Sequence, residues 1–266
     1  MITRLAARFG KTGLALAALT ILLAACHTTI ADRPGGSGDN EGAEAGGAEG
    51  ISGQAGQPGQ PGEHGEPGDS GTPVRGSGNV ISEARSVNGF ASVSLRGSAQ
   101  LLIDQSGTES LTVEAEDNLL PHLISEVTDG RLNMGPEPGY SIQATKPIIF
   151  RLSVKTLNRV AASGSGEIQA KNLKGDDLVF SQSGSFRITA QGSETHSQLT
   201  VSGSGDYNGE NLDSADVAID ISGSGRAVAR ASSKLNIKIS GSGSVEYLGN
   251  PGVNQEISGS GTVRKR

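Results

Sequence analysis

The tripeptide Ser-Gly-Ser starts at Ser163, Ser183, Ser202, Ser222, Ser240 and Ser258 of this chain, at spacings of 20, 19, 20, 18 and 18 residues. In every copy but one a second Gly follows. A turn signal that recurs at this period is written by stacked repeats, each contacting its neighbours and burying a continuous core. Gly permits positive φ at a corner, and small Ser lets neighbouring coils approach. The repeat therefore reads as the corner of a coil rather than as a reactive motif.

Between corners the apolar residues alternate, as in Asp216-Val-Ala-Ile-Asp-Ile221 and Lys234-Leu-Asn-Ile-Lys-Ile239. Period-two alternation with β-branched residues predicts half-buried strands, one face inward and one outward. In the repeat from Ser222 to Ile239, one strand (Arg226 to Arg230) leaves the corner and turns at Ala231-Ser-Ser233. A second strand, Lys234 to Ile239, runs into the next corner. Stacking would lay like strand on like strand in parallel, about 4.8 Å apart. Stacked Ser hydroxyls could also bond along the axis. Degenerate corners at Gly76-Ser-Gly78, Gly97-Ser98 and Ser106-Gly107 predict that the stack starts near residue 76, giving roughly ten coils and a rod of about 48 Å. One helical turn is expected between Asp117 and Ser125, with Pro121 in its first turn.

The chain before this domain reads differently. Residues 1–25 form a lipoprotein signal: Arg4, Arg8 and Lys11, then an apolar run from Leu14 to Leu23, then Ala24-Ala25-Cys26. That run is too short to span a bilayer and ends in small residues before a cut. The cut resembles a bacterial lipobox, which implies that Cys26 is diacylated and becomes the mature N-terminus. The alternative is an ordinary cleaved signal with an incidental cysteine. Cys26 is the sole cysteine, so no intrachain disulfide can form. Acyl chains at about 0.8 kcal/mol per buried CH2 would make the membrane its first partner. His27 in place of Asp favours the outer membrane.

Residues 26–78 form an acidic Gly/Pro-rich tether, disordered or collagen-like, with almost no large apolar side chain and no core of its own. From Gly47 to Gly71 a Gly occupies every third position, so residues 47–73 are Gly-X-Y triplets. Only Gly fits the axis of a collagen triple helix, so these triplets would suit a homotrimeric stalk roughly 80 Å long. The plainer reading is an extended soluble spacer. Removing the signal takes the net charge from −6 to about −9, and most of that acidity lies in the tether. With no basic patch and no Trp, nothing predicts a nucleic-acid partner.

Within residues 79–266, Asn88-Gly-Phe-Ala-Ser-Val-Ser-Leu95, Leu111-Thr-Val-Glu-Ala-Glu-Asp-Asn-Leu-Leu-Pro121 and Asp129-Gly-Arg-Leu132, followed by the Ser-Gly-Ser-Gly corners, resemble the head GIN domain. That is a bacterial domain of unknown function described as an autotransporter-adhesin head. The resemblance covers about residues 80 to 263 and implies an all-β, right-handed parallel β-helix-like solenoid of about 18–20 residues per coil. It also implies an adhesive role, and a shape like that of pectin lyases without their catalytic residues. Ser183-Gly-Ser-Phe186 departs from the corner pattern, with Phe186 expected to pack inward or laterally.

Solenoids of this shape also act on polysaccharides, so an enzyme is the competing reading. Glu114 and Glu116 share a strand face beside Asp117 and are the best acidic cluster; the plainer reading is a solvated edge. Asp176-Asp177 after Gly175 reads as a turn more readily than as a calcium site. The four histidines, His27, His64, His122 and His196, show no zinc spacing. The Gly-Ser-Gly runs lack the Gly-x4-Gly-Lys-Ser/Thr phosphate-loop pattern. The sequence thus predicts a lipid-anchored, non-catalytic binding, adhesion or structural protein without cofactor or metal. The alternative is a polysaccharide-active enzyme.

Overall fold

The computed structural model describes residues 71–266. The signal, Cys26 and the tether up to residue 70 lie outside the described residues. Among those described, the chain is all-β: its one helical element is a 3-10 turn, and no helix is long and apolar enough to cross a membrane.

Two short strands come first, β1 (Thr72–Arg75) and β2 (Val80–Arg85). The last triplet, Gly71-Thr-Pro73, thus runs into a paired strand. Next are β3 (Ser92–Asp104), β4 (Ser110–Glu116), the 3-10 turn Leu120–His122, β5 (Leu123–Thr128) and β6 (Arg131–Pro136). Then follow β7 (Tyr140–Gln143) and β8 (Ile149–Ser153). The repeats begin with β9 (Arg159–Gly203), a run of several strand segments, and continue through β10 (Asp206–Gly223) and β11 (Arg226–Gly241). β12 (Ser244–Leu248) and β13 (Gly252–Gly259) make up the last full rung, and β14 (Thr262–Lys265) adds half a rung beyond β12.

The repeats pair in parallel at the offset that the sequence period predicts. Asp206 lies beside Arg187 on one side and Arg226 on the other; Ile221 lies beside Val201 and Ile239. The second half of β11 pairs with β13 and its first half with β12, which pairs with β14. Because pairing joins equivalent positions, one inward residue stacks on the next. Val201, Ile221 and Ile239 form one fully buried column, and Leu199, Ile219 and Ile237 another. Each such side chain contributes about 1.5–3 kcal/mol on burial. The columns end at the last rung, where Val253 and Ile257 are partly exposed because nothing is stacked beyond them.

The corner glycines form a column of their own: Gly97, Gly164, Gly184, Gly203, Gly223, Gly241 and Gly259, all at positive φ. A Cβ on Gly223 would stand 2.6 Å from the carbonyl oxygen of Gly203, and one on Gly241 equally close to that of Gly223. Both the conformation and the close approach therefore require Gly. The backbone bonds from corner to corner: Ser224 N–H donates to the Gly203 carbonyl, Ser242 to Gly223 and Ser260 to Gly241. Of the expected hydroxyl contacts, Ser98 and Ser165 meet at 2.9 Å. Phe186 does pack inward, 1% exposed, in the place that Gly205 takes one rung later.

The expected start near residue 76 is corrected. Gly97 does join the column, but its neighbour along the stack is Gly164, so the chain between them makes an excursion. That excursion covers the first rung. β3 pairs with β6 over its first half and with β8 over its second, both in parallel. β5 then adds to β6, and β4 and β2 add to β8, all antiparallel. Gly76 and Gly78 pack on the Glu116 carboxylate instead of forming a corner. The helical turn shrinks to Leu120–His122, because Leu123 onward is drawn into pairing with β6. Arg85 donates to the carbonyls of Leu120 and Leu123, satisfying groups that so short a turn leaves free.

Candidate functional site

The acids expected to be the best chemical cluster are all engaged in structure. Glu114 holds Arg151 through two hydrogen bonds, of 2.6 and 3.4 Å. Glu116 is fully buried at the end of β4. Its carboxylate accepts from the Gly78 N–H at 2.6 Å, the Thr145 N–H at 2.8 Å, the Thr145 hydroxyl and the Lys146 N–H. Asp117 accepts from Asn79, Ser77 and the Asn118 N–H. These bonds favour the charged form and hold all three carboxyls below their ordinary range: Arg151 is the leading cause at Glu114, the Thr145 hydroxyl at Glu116 and Asn79 at Asp117. A carboxyl so held cannot serve as a proton donor at neutral pH.

The histidines are similarly occupied. His122 stacks on Tyr140 with ring centroids 4.2 Å apart. His196 stands between Asp177 and Asp216, its two ring nitrogens 3.4 and 3.7 Å from their carboxylates. Among the described residues no three His, Asp or Glu side chains converge to hold a metal.

A site that the sequence reading missed lies on the residues midway between successive Ser-Gly-Ser corners. There a cavity of about 1050 Å³ runs across five successive rungs, lined by 172–175, 192–195, 213–215, 230–232 and 249–250. Register places Glu194 beside Ser214, and Ser214 beside Ala231. Glu194 and Ser214 are 4% and 5% exposed. Neither carboxylate oxygen of Glu194 has a hydrogen-bond partner, and nor has the Ser214 hydroxyl. Burial, then the charges of Asp176 and Asp177, push the Glu194 carboxyl up to about 7. Tyr207, buried and facing that charge, is raised as well. Arg230 at the rim is tied to the Glu210 carbonyl and to Asp213. In the sequence Glu194 sits in the polar run Gln191-Gly-Ser-Glu-Thr-His-Ser197, which shows no alternation. Only aligning the repeats, which sets Glu194 in the column of Ala231, could have exposed it.

The parallel rungs define an all-β repeat domain. The chain belongs to the family described as "putative auto-transporter adhesin, head GIN domain", whose model matches residues 89–251. Two crystal structures share its fold. One is titled a putative adhesin from Bacteroides fragilis, 19% identical, with a TM-score of 0.59 over 73% of this chain and 100% of that one. The other is titled a putative lipid binding protein from Parabacteroides distasonis, 22% identical, with a TM-score of 0.51 over the same shares. No curated protein matches the sequence.

Proposed function

We propose that this is a lipid-anchored, non-catalytic binding protein of the bacterial cell envelope. In this reading the parallel stack is a right-handed β-helix-like solenoid, held at the outer membrane by acyl chains on Cys26 and spaced from it by the tether. The observation that carries the non-catalytic part is the fate of Glu114, Glu116 and Asp117. Each is tied into hydrogen bonds that keep it charged, leaving no poised acid among them. The family description and the adhesin title of a fold relative support adhesion. Gly-X-Y triplets in 47–73 support a homotrimeric stalk, in which three heads would share one anchor point.

Metabolic labelling with a tagged palmitate tests the anchor: Cys26→Ser should lose the label and the membrane fraction. Protease accessibility on intact cells tests the role, since a head confined to the periplasm could not serve as an adhesin. Mass measurement of residues 27–266 with and without 47–73 tests the stalk, and a trimer that survives the deletion would rule it out. One observation favours an enzyme, the raised Glu194 beside a cavity. The domain nevertheless lacks Trp, the usual platform for a sugar ring. Turnover on a glycan panel that disappears in Glu194→Gln would establish the enzyme instead.

A further inference from the structure

Resting on the reading of this domain as a binding module, we infer that the cavity midway between the Ser-Gly-Ser corners is its ligand site, and that it takes a primary ammonium group carried on an elongated, hydroxyl-rich molecule. A buried carboxylate with both oxygens unpaired is costly unless something arrives to pair it. Glu194 is in that position, and the Ser214 hydroxyl on the next rung is equally unpartnered. The space around the carboxylate is made by a glycine: a Cβ on Gly175 would lie 2.9 Å from Glu194 Oε2, and Gly175 itself lines the cavity.

The sign of the missing partner follows from the neighbours. Asp176 and Asp177 add negative charge beside Glu194, while Arg230 is committed to Asp213 and the Glu210 carbonyl. Lys174 also lines the cavity, yet its ammonium does not pair with Glu194, so the partner that the carboxylate lacks is a cation. A metal ion would need several preformed side-chain ligands, and no three converge among the described residues. An ammonium brings three N–H donors of its own and needs only acceptors. Five rungs at about 4.8 Å give the cavity length for a stem several hydroxylated units long. Its walls offer Ser193, Ser232 and Asn250 for hydroxyl contacts, with no aromatic ring for stacking.

The test uses the full chain and two probes: the 2-aminoethyl glycoside of cellotetraose and its N-acetylated twin, titrated calorimetrically at pH 8. The amine should bind at least tenfold more tightly than the acetamide. Glu194→Gln should bring that ratio close to one without lowering the melting temperature, and Ser214→Ala should weaken both probes by a few-fold. Equal affinity for the two, binding of neither, or a ratio that survives in folded Glu194→Gln would overturn the inference. In the last two cases the cavity would merely hold water. Adhesion of the wild-type protein to cells is measured in parallel. If it persists while the amine preference fails, the binding function stands and this site falls; if adhesion itself is absent, the function falls.

Discussion

The repeated stack and the excursion that covers its first rung solve the same problem by opposite means. Both bury apolar strands, but the stack does so by copying one rung, with backbone bonds joining equivalent residues from Gly164 to Gly259. The excursion from 105 to 158 copies nothing. It turns back in antiparallel pairs and closes with individual contacts such as Glu116 to Thr145 and Arg85 to Leu120. A repeat spreads each constraint over many equivalent positions, whereas the cap concentrates it in a few side chains. The two ends differ accordingly: the first rung is covered, and the last leaves Val253 and Ile257 open.

Glycine substitutions should separate the regions most sharply. Gly223→Ala puts a Cβ 2.6 Å from the Gly203 carbonyl oxygen at φ +123, with backbone on both sides that cannot yield. A loss of about 3 kcal/mol or more in urea denaturation is expected. Gly107→Ala also has positive φ, but nothing lies within 4 Å of its Cβ, so a loss of about 1 kcal/mol is expected from conformation alone. Equal losses would mean that corner contact adds nothing to corner conformation.

Next in size is a comparison within one column. Ile221→Ala removes a fully buried side chain with neighbours on both rungs, and should cost about 2–5 kcal/mol. Ile257→Ala, at the equivalent place on the last rung, leaves a side chain already 38% exposed and should cost under about 1 kcal/mol. A large loss at Ile257 would show that something covers the last rung in solution.

These contrasts follow what the sequence made legible. Corners, period and inward columns were readable because repetition averages over local irregularity, so that even Phe186 could be placed beside Gly205. The cap was not, because antiparallel pairing between β2 and β4 or β5 and β6 leaves no period to find. Gly76-Ser-Gly78 looked like a corner since a clasp around a carboxylate also demands glycine. The acids of the candidate cluster were visible, but their partners Thr145 and Arg151 lie some thirty residues away. Glu194 was hidden for a different reason: its burial comes from register, not from its neighbours in sequence.

Acid should act on the cap before the stack. Glu116 has its folded pKa depressed, so its contribution is complete above the unfolded carboxylate value of about 4.3 and is lost as pH falls through the folded value. Hydrogen exchange, corrected for intrinsic rates, should show β2 and the segment around Thr145 losing protection below about pH 4 while β10 and β11 keep theirs. Glu116→Gln should reproduce that loss at neutral pH. Uniform loss across both regions would deny the clasp its local role.

A pH effect of the opposite sign should lie in the stack. Glu194 has its folded pKa raised to about 7, so the folded state holds its proton more tightly than the unfolded chain does. Its neutral form is accommodated below about pH 4.3, and stability drains away as pH rises from there through 7, then levels off. Glu194→Gln cannot titrate and should lack this slope. The gap between variant and wild type in urea midpoint should therefore widen between about pH 4.3 and 7 and stay constant above. A ligand that pairs the carboxylate would close that gap only in wild type, because only there is a buried charge waiting to be paired.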